Sequence, residues 1–202
     1  MDSMNLREDS AARTRAALVD SGLRLAETLG LAGVSVNVLV AELGVSKGTF
    51  FHHFGTRANY LLALHREFHD RLQADIESAI ANQPPGRDRL RTGSTAYLDA
   101  CLRDRGVKAL LLEARADPLI ADEVTARNTL NAALIEPDFA TLGWPHPSSA
   151  ARLWVGLVAE AALLELQSAH EQPAVRETLW QFLTDRTRSG SSDGGNPDKT
   201  PQ

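Results

Sequence analysis

Almost every long segment of this 202-residue chain repeats its apolar residues at intervals of three and four, and no segment of useful length alternates apolar with polar residues. Intervals of three and four place side chains on one face of an α-helix, whereas alternation is typical of a β-strand. The pattern therefore predicts an all-α fold of about nine helices. Folds built on disulfides or on cysteine-ligated zinc are excluded, because Cys101 is the single cysteine.

Capping residues and glycines divide this pattern into successive helices. The first helix should cover residues 13–29 and end at Gly30 and Gly33. Its inward-facing residues should include Leu18, Leu25, Ala26 and Leu29. Later helices are expected over residues 88–103, 107–116, 118–135, 148–170 and 174–188.

Two later segments are expected not to be helical. Residues 137–147 hold three prolines and a glycine, so they predict a loop that Phe139 and Trp144 pack against the core. Residues 189–202 are rich in serine, glycine and aspartate and offer nothing to bury, which predicts a disordered tail.

The segment after the first helix has the pattern of a helix-turn-helix. Ser35 can cap a short helix that ends at Leu43, and Ser46 can cap a very short helix over residues 47–54. Gly44 tolerates the left-handed backbone that a sharp turn requires. Thr56 can cap the long helix that follows, which ends before Pro84. Its apolar stripe consists of Leu61, Leu64, Phe68, Leu72, Ile76 and Ile80.

The third helix is too short to be stable alone. Phe50 and Phe54 must hold it against the core, which leaves its other side chains to face solvent or a partner. These outward residues are Lys47, Gly48, Thr49, His52 and His53.

The eleven residues from Gly44 to Phe54 read GVSKGTFFHHF, with a basic residue, Arg57, three positions on. This run resembles the signature of the TetR family of bacterial transcriptional regulators, and it stands about 45 residues from the N-terminus, where that family keeps it. The resemblance covers roughly residues 13–62. It implies an N-terminal DNA-binding domain over residues 10–57 and a helical ligand-binding and dimerisation domain over residues 58–188.

The resemblance also implies which residues contact DNA. The positions that touch bases in the major groove correspond to Asn37, Lys47, Gly48 and Thr49. The positions that hold phosphates correspond to Ser35, His52, His53 and Arg57. Ser46 caps the recognition helix. Phe51 replaces the more usual tyrosine, which removes a phosphate-binding hydroxyl, and Val40 fills a position that is usually small.

The last two predicted helices carry more apolar surface than one small domain can cover. In the resemblance, this pair forms a four-helix bundle with the same pair of a second subunit, which implies a homodimer that reads a palindromic operator. The candidate interface residues are Leu153, Leu157, Ala161, Leu164, Leu179, Trp180 and Leu183.

The family usually encloses a small-molecule effector among its middle helices. Aromatic and sulfur-containing residues that could line such a pocket are Phe68, Tyr97, Cys101, Phe139, Trp144 and Trp154. Each of them can equally be plain core. Because aromatic residues make up only 5% of the chain, an aliphatic or amphipathic effector is favoured over a flat aromatic or cationic one.

Other chemistry has weaker support in the sequence. His65 and His69 stand four residues apart on one helix face and could bind a metal, which would suit a metal-dependent enzyme, but a structural pair is favoured. Cys101 could be a redox sensor, although its apolar helix favours an inert buried thiol. No nucleophile motif, phosphate-binding glycine loop or paired carboxylates point to an enzyme, and no cofactor or bound metal is expected.

Charge is distributed unevenly along the chain. The net charge is -5, yet residues 10–60 hold five basic and three acidic residues. The acidic surplus therefore belongs to the later helices, and a DNA-facing segment must act through placed charges rather than through net charge. No apolar run is long enough for a membrane span or a signal sequence, so the chain is expected to be soluble, cytoplasmic and without a membrane partner.

The sequence thus predicts a dimeric, sequence-specific DNA-binding regulator, with repression released by a small molecule as the main hypothesis. An activator or a ligand-independent DNA-binding protein of the same fold remains an alternative, as does a purely structural interaction dimer. The effector, the operator and the target genes are not predicted.

Overall fold

The computed structural model describes residues 2–183. Over this range the chain forms nine helices and no strand. In chain order they are α1 Asp2–Gly33, α2 Val36–Leu43, α3 Lys47–Phe54, α4 Arg57–Ile80, α5 Arg87–Arg103, α6 Arg105–Ala114, α7 Pro118–Thr141, α8 Pro147–Ser168 and α9 Pro173–Gln181. The all-α prediction is therefore confirmed. The expected tail at 189–202 and the end of the last predicted helix lie outside the described residues.

The predicted caps of the short helices are present. The side-chain oxygens of Ser35, Ser46 and Thr56 each accept a hydrogen bond from the backbone N–H three residues on, at 3.3, 3.0 and 3.1 Å. Gly44 ends α2 in the left-handed conformation, with φ 64° and ψ 28°. These bonds satisfy backbone donors that a helix N-terminus leaves unpaired, so α2, α3 and α4 begin where the sequence predicts.

The bounds of α1 differ from the prediction. The helix begins at Asp2 rather than near residue 13, and it passes through Gly30 to end at Gly33. A glycine inside a helix costs about 1 kcal/mol relative to alanine, which does not break a long hydrogen-bonded helix. Leu18 and Ala26 are fully buried as expected, but Leu29 is 55% exposed, so its inward assignment is wrong.

The prediction of a loop over residues 137–147 is also wrong for residues 137–141. Helix α7 continues through Pro137 to Thr141, and only residues 142–146 connect it to α8. A proline inside a helix removes one backbone hydrogen bond. Here the next two residues anchor the final turn, because Asp138 and Phe139 are buried and Asp138 binds the start of α5.

Two hydrophobic clusters form the interior. The first joins α1, α2, α3, α4 and α6, with the end of α5 and the start of α7. The second joins α5, α7, α8 and α9, and Tyr97 packs against both. The first cluster extends across the domain boundary expected between residues 57 and 58, so the two predicted domains share packed side chains.

A buried ion pair fixes α9 against α8. Arg176 donates from Nε and Nη2 to the two carboxylate oxygens of Glu165, at 2.7 and 2.9 Å, and from Nη1 to Asp99 of α5 at 2.7 Å. A bidentate arginine–carboxylate pair fixes orientation as well as distance. No described helix is long and apolar enough to cross a membrane.

Candidate nucleic-acid interface and central cavity

An aromatic cluster holds the eight-residue helix α3 in place. Phe50 and Phe54 are buried, and their rings lie 5.0 and 4.9 Å from the ring of Tyr60 on α4. The Tyr60 hydroxyl donates to the carbonyl of Leu18 on α1 at 2.8 Å, and burial raises the pKa of that hydroxyl. Helix α3 is therefore fixed between α1 and α4 by tertiary packing.

The opposite face of α3 is open. Lys47 and Gly48 are exposed at its N-terminal end, and Asn37 is exposed on α2. Thr49 is half-buried, and its hydroxyl lies 2.9 Å from the Ser46 Oγ. An exposed, rigidly held helix N-terminus of this kind fits the way a recognition helix presents side chains to base edges.

The expected phosphate-binding positions surround this end. Arg57 is the first residue of α4 and is exposed, and within the described range neither it nor Lys47 pairs with a carboxylate. The rings of His52 and His53 lie 5.5 Å apart. Burial, together with the charges of His52 and Arg15, lowers the pKa of His53. Phe51 is 47% exposed.

Ser35 differs from the other expected phosphate positions because its side chain already has a partner. Its Oγ accepts the capping hydrogen bond of α2, and the residue is half-buried. The Oγ can still donate its proton. Ser35 thus combines capping with a remaining capacity for one contact.

A cavity of about 100 Å³ lies among α4, α5, α7 and α8. Of the six residues expected in a ligand pocket, Tyr97 and Trp154 line it. The others lie elsewhere. Phe68 belongs to the first hydrophobic cluster, Cys101 and Phe139 belong to the second, and Trp144 packs on Phe139 with ring centroids 5.4 Å apart.

His65 and His69 lie side by side on the cavity wall, with ring centroids 4.3 Å apart. Burial is the main cause that lowers the pKa of both imidazoles, to about 4 for His65. The Nδ1 atom of His65 is buried and has no hydrogen-bond partner among the residues that the structure describes. No group of three or more histidine, cysteine, aspartate or glutamate side chains that could hold a metal ion occurs among the described residues.

Cys101 is buried near Tyr97 and Lys108, whose Nζ donates to the Tyr97 hydroxyl at 3.0 Å. Burial raises the pKa of the Cys101 thiol. A protonated, enclosed thiol is a poor nucleophile. This environment agrees with the inert role that the sequence favours.

Comparison with known proteins decides the family. Residues 18–64 match the family model described as bacterial regulatory proteins, tetR family. The N-terminal region of the chain, over these residues, is of the TetR family. Its helix-turn-helix is thus that of a DNA-binding transcriptional regulator. No curated protein matches the chain.

Solved structures share the TetR-family fold over most of the chain. A transcriptional regulator from Rhodococcus sp. Rha1 is 21% identical, with a TM-score of 0.72 over 84% of this chain and 93% of the other. The multidrug binding protein EbrR, complexed with imidazole, is 20% identical, with a TM-score of 0.69 over 86% and 97%. The reduced form of E. coli NemR is 18% identical, with a TM-score of 0.63 over 85% and 95%.

The residues expected at a TetR-family dimer interface fall into three groups. Leu153, Leu157 and Leu164 are exposed on α8, at 70%, 38% and 40%. Ala161 and Leu179 are buried but line a groove between α8 and α9, with Phe182 at its edge. Trp180 and Leu183 pack into the second hydrophobic cluster.

Sequence reasoning missed most of the polar residues that line the cavity. These are Gln73, Arg89, Ser94, Arg115, Arg127, Asn128, Asn131 and Asp138. The spacing of His65, His69, Gln73, Ile76 and Ile80 on α4 marks one helix face and could have indicated a lining stripe. Nothing in the local sequence indicates that Arg115 reaches the same space.

Proposed function

We propose that this TetR-family chain is a homodimeric, sequence-specific regulator that binds a palindromic operator and represses transcription. The observation that carries the proposal is the arrangement of α3. Its inner face is fixed by Phe50 and Phe54, while Lys47 and Gly48 stand exposed at the end that meets base edges in helix-turn-helix proteins.

The exposed apolar surface of α8 and α9 supports the dimer. Leu153, Leu157, Leu164 and Phe182 are exposed, and the last three of them line the mostly apolar groove between α8 and α9. Several exposed apolar side chains around one groove are typical of protein–protein interfaces rather than of solvent-facing helices. A two-fold axis through this surface would place two copies of α3 where each reads one half-site, about 34–36 Å apart.

The path of α4 supports release by a small molecule. Its first turn packs Tyr60 against α3, and its later turns line the cavity from His65 to Ile80. A ligand that shifts α4 would therefore change the separation of the two recognition helices, so the dimer would no longer fit adjacent grooves. EbrR, one of the similar structures, is a multidrug binding protein, and ligand binding here is our proposal by extension from the cavity. The site of action would be the cytoplasm.

The test is DNA binding with single-residue variants. We expect the protein to protect a palindrome in the DNA that flanks its own gene. Lys47→Ala should relax base preference at one or two operator positions, with a cost of about 1–3 kcal/mol at the cognate base. Arg57→Ala should weaken all sequences alike and reduce the salt slope of the dimer by about 2, because one phosphate contact is lost in each subunit.

A matched control for these variants is Arg87→Ala. Arg87 is exposed at the start of α5, away from the helix-turn-helix, so its loss should leave operator affinity unchanged. Absence of any protected palindrome at moderate salt would contradict the proposal. Equal effects of Arg87→Ala and Lys47→Ala would show that only bulk charge matters.

A further inference from the structure

We propose that the cavity binds an organic anion with a linear apolar body, and that Arg115 receives its acid group while Ile76 and Ile80 contact its chain. This inference rests on the proposed function, because it names the chemical class of the effector.

The shape of the cavity favours a linear molecule. Its α4 wall runs from His65 to Ile80, and at a rise of 1.5 Å per residue this stripe is about 22 Å long. The cavity volume is only about 100 Å³. A space that is long but small in volume is narrow, so it suits an extended chain better than a compact ring system.

The polarity of the lining changes along this length. On α4 the stripe begins with two histidines and a glutamine and ends with Ile76 and Ile80. Helix α7 runs in the same direction, because Arg66 pairs with Glu123 and Asp70 pairs with Arg127 one turn later. Arg127, Asn128 and Asn131 of α7 therefore meet the polar end of α4, while Leu134 lies toward the isoleucine end, where Asp138 and Arg89 pair with each other. One end can solvate an acid group and the other can cover a hydrocarbon chain.

The charges that line the cavity favour an anion. Three arginines line it, against one carboxylate, Asp138. Both oxygens of Asp138 are occupied, one by the backbone N–H of Gly86 at 2.8 Å and one by Arg89 at 2.7 Å. Arg127 is held by Asp70 and Glu123. A cationic ligand would thus find no free carboxylate in the lining.

Arg115 is the remaining arginine of the three that line the cavity. It follows the last turn of α6, lines the cavity and is exposed, so it stands at the opening. No carboxylate pairs with it in the part of the chain that the structure describes. His65 lines the same cavity, and its buried Nδ1 has no hydrogen-bond partner among the described residues. The charge of Arg115 lowers the pKa of both His65 and His69, which places the three side chains in one electropositive region.

Three probes of equal chain length test the charge preference. Octanoate, octanol and octylammonium differ in the head group, and binding to the full chain is measured by isothermal titration calorimetry at pH 7.5, without DNA. We expect octanoate to bind at least about tenfold more tightly than the other two, as a charge-assisted hydrogen bond allows. Octanol or octylammonium binding as tightly as octanoate, or no binding of any of the three, would overturn the proposal.

Variants of two arginines at the ends of α6 test the placement. Arg115→Gln should weaken octanoate binding about tenfold without changing octanol binding, and Arg115→Glu should favour octylammonium over octanoate. Arg105→Gln is the matched control, because Arg105 is exposed on α6 and does not line the cavity. Equal losses for Arg115→Gln and Arg105→Gln would overturn the placement.

Operator binding separates this inference from the proposed function. A protein that binds its operator but none of the three probes retains the regulatory role and refutes the anionic effector. A protein that binds octanoate through Arg115 but no operator refutes the regulatory role alone.

Discussion

Gly22 allows α1 and α4 to lie in close contact. A Cβ atom at this position would lie 1.9 Å from the Tyr60 hydroxyl oxygen and 2.9 Å from a methyl carbon of Leu64. The Tyr60 hydroxyl is fixed because it donates to the Leu18 carbonyl, and the same ring packs on Phe50 and Phe54. Glycine at position 22 thus permits the contact that holds the recognition helix.

Gly22→Ala should therefore destabilise the protein, although alanine is the better helix former. We expect the free energy of unfolding to fall by about 1–3 kcal/mol, as overpacking typically costs, and operator affinity to fall with it. Chemical denaturation followed by circular dichroism measures the change. Gly48→Ala is the control, because a Cβ there meets only the Ser46 Oγ at 3.4 Å and the change should leave stability equal or higher. A Gly22→Ala variant as stable as wild type would contradict the overpacking argument.

Residues that act on their own neighbours were predictable from the sequence, and residues that act across helices were not. Ser46 caps α3 through a backbone group three positions away, and Gly44 needs only a left-handed turn. Gly22 and Arg115 depend on helices far along the chain, at α4 and at the cavity. Their roles follow from packing geometry, which local periodicity does not contain.

At the scale of elements, α4 connects the two candidate sites. Its buried residues Tyr60 and Leu64 belong to the first hydrophobic cluster, and its cavity face begins with His65. This histidine is buried with a pKa of about 4, below the unfolded value of 6.5. Glu123 on α7 opposes the shift, and Arg127, Lys108 and Arg115 support it.

The buried histidine makes stability depend on pH. A lowered folded pKa means that the unfolded chain binds the proton first, so stability is full above about pH 6.5 and falls as the pH drops toward 4. From pH 7.5 to pH 5 we expect His65 alone to lower the free energy of unfolding by about 2 kcal/mol. Urea denaturation at both pH values measures it. His65→Leu should lose less over this range, whereas His146→Gln, at an exposed histidine, should match wild type.

An unchanged pH dependence in His65→Leu would contradict this assignment. His69 faces the same cavity, and its lowered pKa acts in the same direction, so the variant should retain part of the slope. If His65→Leu removed the whole pH dependence of the free energy of unfolding, His69 would contribute to that dependence only when His65 is present.

The end of α7 shows why element bounds were only partly predictable. Proline-rich composition indicates a loop on average, yet Pro137 lies inside the helix. The two residues after it are buried, and Asp138 accepts hydrogen bonds from Gly86 and Arg89 at the start of α5. Tertiary anchoring thus overrides the local loop signal at residues 137–141, whereas residues 142–146 do form a loop.

Over the whole molecule, the basic and the acidic charge lie in different parts of the chain. The helix-turn-helix segment is mildly basic, and the net charge of -5 arises in the later helices. An acidic body away from the DNA limits non-specific binding, so affinity must come from a few placed cations on two subunits. A single subunit would hold the operator weakly, which makes the proposed dimer a condition for function.

The dimer can be tested by placing a charge in the exposed face of α8. Leu157 is exposed and lines the groove between α8 and α9, so Leu157→Glu should bury an unpaired carboxylate in the proposed interface. We expect a monomer by light scattering, with unchanged helical circular dichroism. Affinity for the palindrome should fall by on the order of 100-fold, because two linked half-site contacts become independent. Leu130→Glu is the control, since Leu130 is 69% exposed on α7 and does not line that groove. A Leu157→Glu protein that stays dimeric, or a Leu130→Glu protein that becomes monomeric, would move the interface away from α8 and α9.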